Sequence, residues 1–556
     1  MQPLATTAQM RALDRIAIQE RGIPSLELME HAAQAVTEAV QKLLGDKRRF
    51  KSSAIGVIFG TESGQPLTPE EEREMEQLKA IAESCSGPRV AVFCGPGNNG
   101  GDGIGAARLL LALGYEVRTF LVGDQAKMTP DARAMEEKLT AAGGLLEPYD
   151  PNDRMTSVWL STCDCMVDAL FGVGLSRPVG GVFLDAIRRI NYCRAAVVSC
   201  DIPSGVNGDT GEIMGEAVRA TFTVTFSYAK PGLYLNEGRA YSGKVRVEQI
   251  GIPGELGHAM IDRQPERVEV IPDYAHLVLS RRPRTAHKGD FGKVFILAGS
   301  EGYTGAPVLA ANAAVRVGAG LVFLGVPQEI YPIVAVKCDE AMPFPLPEEY
   351  DKILEKAKSC DAALIGPGLG RKPETEELVL RMLADLDIPV VLDADGINAL
   401  SGHIDILDKR SAPTVLTPHD GEFQRLTGCA LPIRDRLAAA RDFAKAHGCV
   451  LVLKGHGTVT AAPDGRAIIN TTGNPGMAKG GSGDVLAGML AGFLGQKHLN
   501  GPHTDLAERT AAVVWYHGLA GDRCAAELGE YGMTPTDMIR AIPQVLRDQE
   551  EQDGKF

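Results

Sequence analysis

The amino-acid sequence predicts an α/β protein with two domains, each a three-layer αβα arrangement. Short apolar runs alternate along the chain with segments of helical periodicity. Most of these runs are continuously apolar, which is typical of strands in a parallel sheet that helices cover on both faces. A turn rich in Gly, Asn, Asp or Pro follows many of the runs, and in such folds ligands bind at this carboxyl end of the strands.

The repeating unit is clearest at 89–114 and 293–320, where an apolar run, a glycine-rich turn and a helical pattern follow one another. Further apolar runs lie at 166–174, 195–205, 362–370, 389–400, 413–422 and 449–461. A basic connector containing proline separates the two series, so we expect one domain over 1–265 and a second over 275–556. Residues 45–88 are charged and polar, and we interpret them as an insertion whose 69–84 segment forms a solvated helix.

Composition excludes several classes of function. The net charge is −14, which disfavours sequence-independent binding of nucleic acid but leaves small anionic ligands open, because a loop of backbone N–H groups can hold a phosphate. The chain has neither an apolar signal core nor a stretch of about 18 apolar residues, so we expect no membrane contact and a cytoplasmic location. Eleven cysteines without a CxxC pair indicate buried or free thiols in a reducing compartment.

The turn at 95–103, GPGNNGGDG, follows an apolar run and opens a helical segment. Gly95, Gly97 and Gly100 match the GxGxxG spacing, and Glu116 follows about 20 residues on, as in a dinucleotide-binding fold. A generic tight turn explains the glycines equally well. The residues around them sharpen the motif, since amides, unhindered N–H groups and a carboxylate can together hold a phosphate and a cation. These residues are Asn98, Asn99, Gly100, Gly101 and Asp102.

Two further strand ends in the first half carry polar side chains. Asp168 precedes a loop that holds Arg177, and Asp201 is followed by Ser204. A single Asp at such a position is commonly only a turn or cap residue. Three polar strand ends in one sheet would converge on one crevice, so together they favour a binding site.

In the second half, the segment 471–495 passes from a glycine-rich loop into a helix. Gly480, Gly481 and Gly483 offer an anion hole for a phosphoryl group, and Asp484 is placed to take a proton from a hydroxyl next to it. Lys454 and Thr458 can reach the nucleotide, although a lysine alone is more often a surface residue. His419 has an equally simple alternative, which is a hydrogen bond to nearby backbone.

The first half resembles the YjeF amino-terminal family, the NAD(P)H-hydrate epimerases. Five segments carry the resemblance in family order: 13–33, 95–103, 167–179, 201–211 and 230–253. The resemblance implies a Rossmann-like domain that interconverts the R and S forms of hydrated NADH or NADPH, with Asp201 as the acid/base at the hydrated carbon. It implies a potassium ion on Asn99, Asp168 and Ser204. It also implies substrate contacts by Asn98, Asn99, Gly100, Gly101, Asp102, Gly172, Val173, Gly174, Leu175, Ser176, Arg177, Pro178 and Asp201.

The chain departs from that family in two places. The family helix usually reads ENAG where this chain has Glu30, His31, Ala32 and Ala33. The insertion also separates the first helix from the first strand, where the family is compact. Both departures bear on the fine geometry of the site and on the oligomer interface.

The second half resembles the ribokinase-like superfamily and, within it, the YjeF carboxy-terminal family, the ADP- or ATP-dependent NAD(P)H-hydrate dehydratases. The matching segments are 287–300, 305–322, 365–370, 391–400, 416–428, 453–458, 473–484 and 515–522. The resemblance implies that Asp484 is the catalytic base. Nucleotide contacts are implied for Lys454, Gly455, His456, Gly457, Thr458 and Gly483, and contacts to hydrated nicotinamide for Gly368, His419 and Asp484. Lys479 stands where many relatives have Thr.

Taken together, the sequence predicts a bifunctional enzyme that epimerises hydrated NAD(P)H and dehydrates the S form with ADP, using Mg²⁺ with the nucleotide and K⁺ in the epimerase domain. Its partners would be NADHX, NADPHX and ADP, and we expect a homo-oligomer. The alternative is a ribokinase-like small-molecule kinase fused to a Rossmann-like module without catalytic activity.

Overall fold

The computed structural model describes residues 1–45, 87–271, 284–496 and 505–552, together with 279, 282 and 499. Most of the predicted insertion at 45–88, with its predicted helix, therefore lies outside the described residues. The chain divides into two compact units, residues 3–264 and residues 265–556 together with 1–2. No helix in the described ranges is both long and apolar enough to cross a membrane.

The first unit is built on a seven-stranded parallel sheet. After a short strand β1 (Gln2–Leu4), its strands are β2 (Arg89–Cys94), β3 (Glu116–Leu121), β4 (Leu146–Pro148), β5 (Cys165–Ala169), β6 (Ala196–Cys200), β7 (Phe222–Phe226) and β8 (Lys244–Glu248). Their spatial order is β4-β3-β2-β5-β6-β7-β8, which places the ends of β2, β5 and β6 side by side.

Helices cover both faces of this sheet. They are Thr7–Arg15, Ser25–Gly45, Asn98–Ala112, Pro130–Ala141, Arg154–Ser161, Val182–Tyr192, Gly238–Ser242 and Gly254–Gly257, with shorter turns at Ile16–Glu20, Gln125–Lys127, Pro231–Leu233 and His258–Asp262. Alternate residues of β2 show why two layers are needed. Val90 and Val92 are buried in one hydrophobic cluster and Ala91 and Phe93 in another, so a continuously apolar strand has both faces covered.

The helix that departs from the family sequence is well anchored. Glu30 forms ion pairs with Arg108 (2.5 Å) and Lys138 (2.8 Å), and Nδ1 of His31 lies 2.8 Å from the backbone oxygen of Ile250. Of these contacts only that of His31 comes from a departing residue, and the helix Ser25–Gly45 is intact.

The second unit holds a larger sheet. Its strands are β9 (Val268–Val270), β10 (Lys293–Leu297), β11 (Leu321–Val326), β12 (Met342–Pro345), β13 (Ala362–Ile365), β14 (Val390–Leu392), β15 (Thr414–Leu416), β16 (Val450–Leu453), β17 (Val459–Ala461) and β18 (Ala467–Ile469). They lie in the order β9-β18-β17-β16-β15-β14-β13-β10-β11-β12. All neighbours are parallel except β16–β17 and β17–β18.

Eleven helices accompany this sheet within the described residues. They are Gly305–Arg316, Tyr331–Ala335, Tyr350–Lys358, Pro373–Asp385, Asp395–Asn398, Asp405–Asp408, Asp420–Thr427, Arg436–His447, Ser482–Gly495, Leu506–Gly532 and Pro535–Gln552, with shorter turns at Lys288–Phe291 and Pro475–Met477. The first and ninth pack closely because Gly488 lies against the backbone of Ala310, where no side chain would fit. This contact fixes the helix that carries Asp484.

The predicted α/β class is confirmed, with a parallel core sheet and covering helices in each unit. The ten cysteines in the described ranges are all free thiols, as the sequence predicts. Eight of the ten are buried, for example Cys94, Cys200 and Cys449.

Candidate active sites

A cavity of about 730 Å³ lies at the carboxyl end of the first unit's sheet. The loops after β2, β5 and β6 line it, and Asp201 and Lys230 lie at its base. The predicted substrate contacts that line it are Asn98, Asn99, Asp102, Gly172, Val173, Gly174, Leu175, Arg177, Pro178 and Asp201. Two of the three predicted polar strand ends, those with Asn98 and with Asp201, line this cavity, whereas Asp168 is not among the lining residues.

Three predicted contact residues are not among those that line the cavity, namely Gly100, Gly101 and Ser176. The two glycines are buried for packing reasons. A side chain at Gly100 would meet the backbone oxygen of Gly95, and one at Gly101 would come within 2.6 Å of Sδ of Met29. Gly100 and Gly101 are therefore needed because the helix that they begin packs too closely against its neighbours for a side chain at either position.

Asp201 is held in an unusual conformation next to Lys230. Its φ of +64° is rare for a residue with a side chain, and such strain is found where the surroundings enforce it. Oδ1 accepts hydrogen bonds from Nζ of Lys230 (2.5 Å) and Oγ1 of Thr225 (3.2 Å). Oδ2 faces Gly172, where an added Cβ would lie 3.2 Å from it and 3.1 Å from Oδ1 of Asn99. One oxygen is therefore fixed and the other is directed into the cavity.

Asp168 lies beneath the cavity and joins two loops. It is fully buried and accepts hydrogen bonds from the backbone N–H of Leu170 (3.3 Å), the hydroxyl of Ser199 (2.8 Å), and both the N–H (2.8 Å) and the hydroxyl (2.6 Å) of Ser204. Burial raises the pKa of Asp168, although these hydrogen bonds act in the opposite direction. The structure thus brings Asp168 and Ser204 together at the ends of β5 and β6.

Glu116 does not belong to the cavity. It begins β3 and therefore lies at the amino end of the sheet, where it accepts hydrogen bonds from Nε of Arg89 and Nε1 of Trp159, each 3.1 Å long. The spacing that suggested a dinucleotide fingerprint is thus coincidental for this residue, because ligands of such sheets bind at the opposite edge.

The sequence motifs missed two residues of this cavity. Lys230 is 1% exposed and pairs with Asp201, and Asp14 lines the cavity from the helix Thr7–Arg15. Both lie within segments that carry the family resemblance, but neither is part of a recognisable glycine-rich or strand-end pattern. Only their proximity to Asp201 reveals them.

In the second unit, Asp484 lies in the first turn of the helix Ser482–Gly495. Gly481 precedes the helix with φ +104°, and Gly483 lies so close to Lys454 that an added Cβ would be 3.3 Å from its ammonium nitrogen. Nε2 of the buried His517 lies 2.9 Å from the backbone oxygen of Ser482. The arrangement combines free N–H groups at a helix start, a carboxylate and an ammonium group, as phosphoryl transfer requires.

The ammonium group of Lys454 lies among carboxylates that the motifs did not identify. Nζ donates to Oδ1 of Asp393 (2.8 Å) and lies 3.8 Å from Oε2 of Glu422. Burial alone would lower the pKa of Lys454, but the two carboxylates have the larger effect and the pKa is raised. The pKa of Asp484 rises to about 7, because burial and the charge of Asp393 exceed the opposing effect of Lys454.

The remaining predicted residues of this site lie on neighbouring strand ends. Nδ1 of His419 accepts hydrogen bonds from the N–H groups of Gly421 (3.0 Å) and Glu422 (3.3 Å), so the simple alternative of a backbone contact is present. Gly368 has φ +65°, and its carbonyl accepts a hydrogen bond from Ser300 (2.8 Å). The structure therefore gives His419 a capping role whether or not it contacts substrate.

The loop from Lys454 to Thr458 is braced from within and from behind. The hydroxyl of Thr458 donates to the carbonyl of Gly455 (2.9 Å), and Gly457 has φ +69°, while His456 is exposed. Behind the loop, the buried Arg436 donates to the carbonyl of Lys454 (2.9 Å) and pairs with Asp420.

The glycine-rich loop before Asp484 is anchored to the helix Leu506–Gly532. The carboxylate of Asp522 accepts hydrogen bonds from the N–H of Gly473 and the amide of Asn474, both 2.9 Å long. The ammonium of Lys479 donates to the backbone oxygens of Tyr531 (2.7 Å) and Met533 (2.5 Å). Lys479 therefore ties the loop to the end of that helix.

Two family models match the chain. One is described as NAD(P)H-hydrate dehydratase and matches residues 294–544, and the other is described as YjeF-related protein N-terminus and matches residues 25–232. The bifunctional NAD(P)H-hydrate repair enzyme Nnr of Moorella thermoacetica is 38% identical over 99% of this chain and 97% of its own length. Its counterpart in Thermofilum pendens is 37% identical over 98% and 96%.

Among solved structures, the chain is similar to an ADP/ATP-dependent NAD(P)H-hydrate dehydratase from Bacillus subtilis, co-crystallised with ATP and Mg²⁺. The identity is 33% and the TM-score 0.43, over 49% of this chain and 95% of that one. The relatives, in contrast, are matched over nearly their full length by both units together. The chain belongs to the family of bifunctional NAD(P)H-hydrate repair enzymes.

Proposed function

We propose that this protein repairs hydrated NADH and NADPH by two reactions. The first unit interconverts the R and S forms, and the second removes water from the S form while it consumes ADP. The observation that carries the proposal is the position of Asp484, a base whose pKa lies near 7, in the first turn of a glycine-preceded helix, where the ammonium of Lys454 lies next to Gly483 and lowers the pKa of that base. A general base is most effective when its pKa lies near the working pH.

The dehydration follows from phosphoryl chemistry at this site. Asp484 takes the proton of the ring hydroxyl, whose oxygen then attacks the terminal phosphorus of ADP while the bond to AMP breaks. The resulting phosphate is a far better leaving group than hydroxide. Its departure with the electrons of the C–O bond, together with loss of a neighbouring ring proton, gives NAD(P)H, AMP and inorganic phosphate. The helix N–H groups stabilise the negative charge on the transferred phosphoryl group.

The nucleotide would lie along the loop Lys454–Thr458 and against Gly483. Mg²⁺ would join its phosphates and supply charge neutralisation there. Within the described residues, no group of three His, Cys, Asp or Glu side chains is arranged to hold a metal ion. In nucleotide sites Mg²⁺ is held mostly by phosphates and water with one or two carboxylates, and Asp393 and Glu422 beside Lys454 would be candidates for that role.

The epimerisation would take place beside Asp201 in the cavity of the first unit. Its Oδ2 is directed into the cavity while Lys230 and Thr225 orient Oδ1, which is the geometry of an acid/base group. The residues of the loops after β2 and β5 would surround the substrate. Its phosphates carry negative charge, which suits the helix start at Asn98.

A potassium ion fits the oxygen groups at the ends of β2, β5 and β6. Asn99, Asp168 and Ser204 offer amide, carboxylate and hydroxyl oxygens, the donor types that hard cations prefer. When bound, the ion would supply positive charge next to the phosphate-binding loop.

The proposal extends to location and assembly. Ten free cysteines in the described part of the chain suit a reducing compartment such as the cytoplasm. Ile333 and Val336 lie one turn apart and are 48% and 83% exposed, so the second unit has an exposed apolar pair of the kind found in subunit contacts. Sedimentation velocity of the purified protein tests whether it is a homo-oligomer.

The decisive experiment uses the whole chain with hydrated NADH and ADP. We expect the near-ultraviolet absorbance of the reduced nicotinamide to return completely from a mixture of epimers, with one AMP formed for each NADH. Recovery that stops when the S form is exhausted would remove the epimerase from the proposal. A protein that uses ADP or ATP only to phosphorylate another small molecule, without any recovery of NADH, would instead be the kinase alternative.

A further inference from the structure

Five aspartates line the cavity of the first unit, and three of them, Asp14, Asp102 and Asp201, interact electrostatically with one another. Asp14, Asp102 and Asp201 all line it, and Lys230 is the one buried cation among the described lining residues. Lys230 is already paired with Asp201 at 2.5 Å. Asp14 and Asp102 therefore have no counter-ion of their own in the cavity, and neighbouring like charges disfavour ionisation of each other.

Asp14 is rigidly placed although its carboxylate is unengaged. Thr6 caps its helix by accepting from the N–H of Gln9 (3.2 Å), and the backbone N–H and hydroxyl of Thr7 both donate to Asp209 at 2.7 Å. Within the described ranges, the carboxylate of Asp14 makes neither a hydrogen bond nor an ion pair. A fixed carboxylate that faces a ligand cavity without a protein partner is available to the ligand.

Burial and the neighbouring carboxylates raise the pKa of both Asp14 and Asp102. Burial raises the pKa of Asp14 to about 6, and Asp201 adds to this while Lys230 opposes it. The pKa of Asp102 is raised well above its usual range by burial and then by Asp201 and Asp14. Asp14 thus exchanges a proton close to neutral pH.

We infer that Asp14 is a second catalytic acid–base group of the first unit and works together with Asp201 on the hydrated carbon. The inference rests on the proposed epimerase function. It adds to that function a residue from the amino-terminal helix, which no glycine-rich motif contains.

In the epimerisation, Asp14 acts as the acid in the first step and Asp201 as the base in the second. The carboxyl of Asp14 donates its proton to the ring hydroxyl, the C–O bond breaks, and the lone pair of the ring nitrogen forms a C=N bond as water leaves. Water then adds to the other face of the carbon, the C=N electron pair returns to nitrogen, and the carboxylate of Asp201 accepts the proton of the incoming water. Proton exchange with solvent restores both groups, and the reverse epimerisation exchanges their roles.

The experiment uses Asp14→Asn in the full chain, with purified R epimer and ADP, and follows the return of NADH. We expect conversion of the R form above the uncatalysed rate to fall at least about 100-fold, as for loss of a general acid or base. Dehydration of purified S epimer by the second unit should stay at the wild-type rate, which reports on folding and on the dehydratase. Asp185→Asn, the same change on an exposed helix position outside the cavity, should leave both rates unchanged.

A pH profile separates catalysis from a purely structural role. In the wild type, the kcat/KM of epimerisation should contain an ionisation near pH 6, which the residual activity of Asp14→Asn should lack. Asp14→Glu keeps the ionisable group and should restore part of the rate together with the ionisation, which covers the case of a poorly folded Asn variant.

The possible failures are distinct. If wild-type protein does not convert the R form, the proposed function is wrong. If wild-type protein converts it and Asp14→Asn does so within about twofold of the wild-type rate, only the role of Asp14 is wrong.

Discussion

The ammonium nitrogen of Lys454 lies 2.8 Å from Oδ1 of Asp393, and the hydroxyl of Thr417 donates to the same oxygen at 2.7 Å. Asp393 is 2% exposed, so these two contacts replace the water that would otherwise surround its carboxylate. The pair holds a positive charge beside Gly483 at the start of the Asp484 helix. The pair therefore orients the lysine and also influences the pKa of Asp484, the carboxylate that we propose as the base.

Replacing Lys454 by Met should weaken ADP binding and raise the pKa of the base Asp484. Because Lys454 lowers the pKa of Asp484, its loss should raise that pKa above 7 and move the acid limb of the dehydration profile to higher pH. Isothermal titration with ADP and a kcat/KM profile measure the two effects. An unchanged acid limb would show that Lys454 does not influence the base.

Asp484→Asn should remove dehydration while ADP still binds. The amide preserves shape and hydrogen bonding but cannot accept the hydroxyl proton, so we expect the rate to fall by about 100- to 10,000-fold. Asp442→Asn, an exposed position on the helix Arg436–His447, is the matched control. Dehydration within about threefold of wild type would exclude Asp484 as the base.

The pH dependence of dehydration follows from the direction of the Asp484 shift. Burial raises the pKa of this base to about 7, so the ionised form is lost as the pH falls through that value, far above the range of an ordinary aspartate. The kcat/KM for S epimer should decrease roughly tenfold for each pH unit below it. A rate that stays level down to pH 5 would contradict this.

Removing one partner of the buried ion pair between Lys230 and Asp201 should lower the stability of the first unit. Lys230→Met leaves the buried carboxylate without its counter-ion, and we expect the first unit to lose about 3 to 5 kcal/mol of unfolding free energy. The double variant Lys230→Met with Asp201→Asn removes both charges and should recover much of this stability while remaining inactive in epimerisation. Denaturant unfolding and the coupled R-epimer assay measure both quantities.

Gly172→Ala tests the space between the two polar groups of the epimerase cavity. The new Cβ would lie 3.1 Å from Oδ1 of Asn99 and 3.2 Å from Oδ2 of Asp201, so it should occupy the position that the substrate needs. We expect a loss of about tenfold in epimerisation, which is about 1.4 kcal/mol, at unchanged stability. Gly254→Ala, where an added Cβ meets nothing within 4 Å, should have no effect.

Local patterns were sufficient to predict much of this molecule. Continuous apolar runs predicted the strands, because a strand that is buried on both faces of a sheet is apolar throughout. The glycine-rich turns predicted which strand ends lie near ligands. Asp201 and Asp484 could be selected because each lies next to its own motif. His419 stood between two interpretations, and its hydrogen bonds to Gly421 and Glu422 show that backbone capping is part of its role.

The sequence by itself thus determined the α/β class, the two glycine-rich turns and the two acid/base candidates, since each depends on residues close together in the chain. Tertiary structure alone decided which charges surround them. Lys454 and Asp393 are 61 residues apart in the sequence. Asp14 lines its cavity from the helix Thr7–Arg15, far from Asp201 in the sequence. The pKa of a carboxylate depends on burial and on neighbouring charges, and these are set only when distant strands and helices pack together.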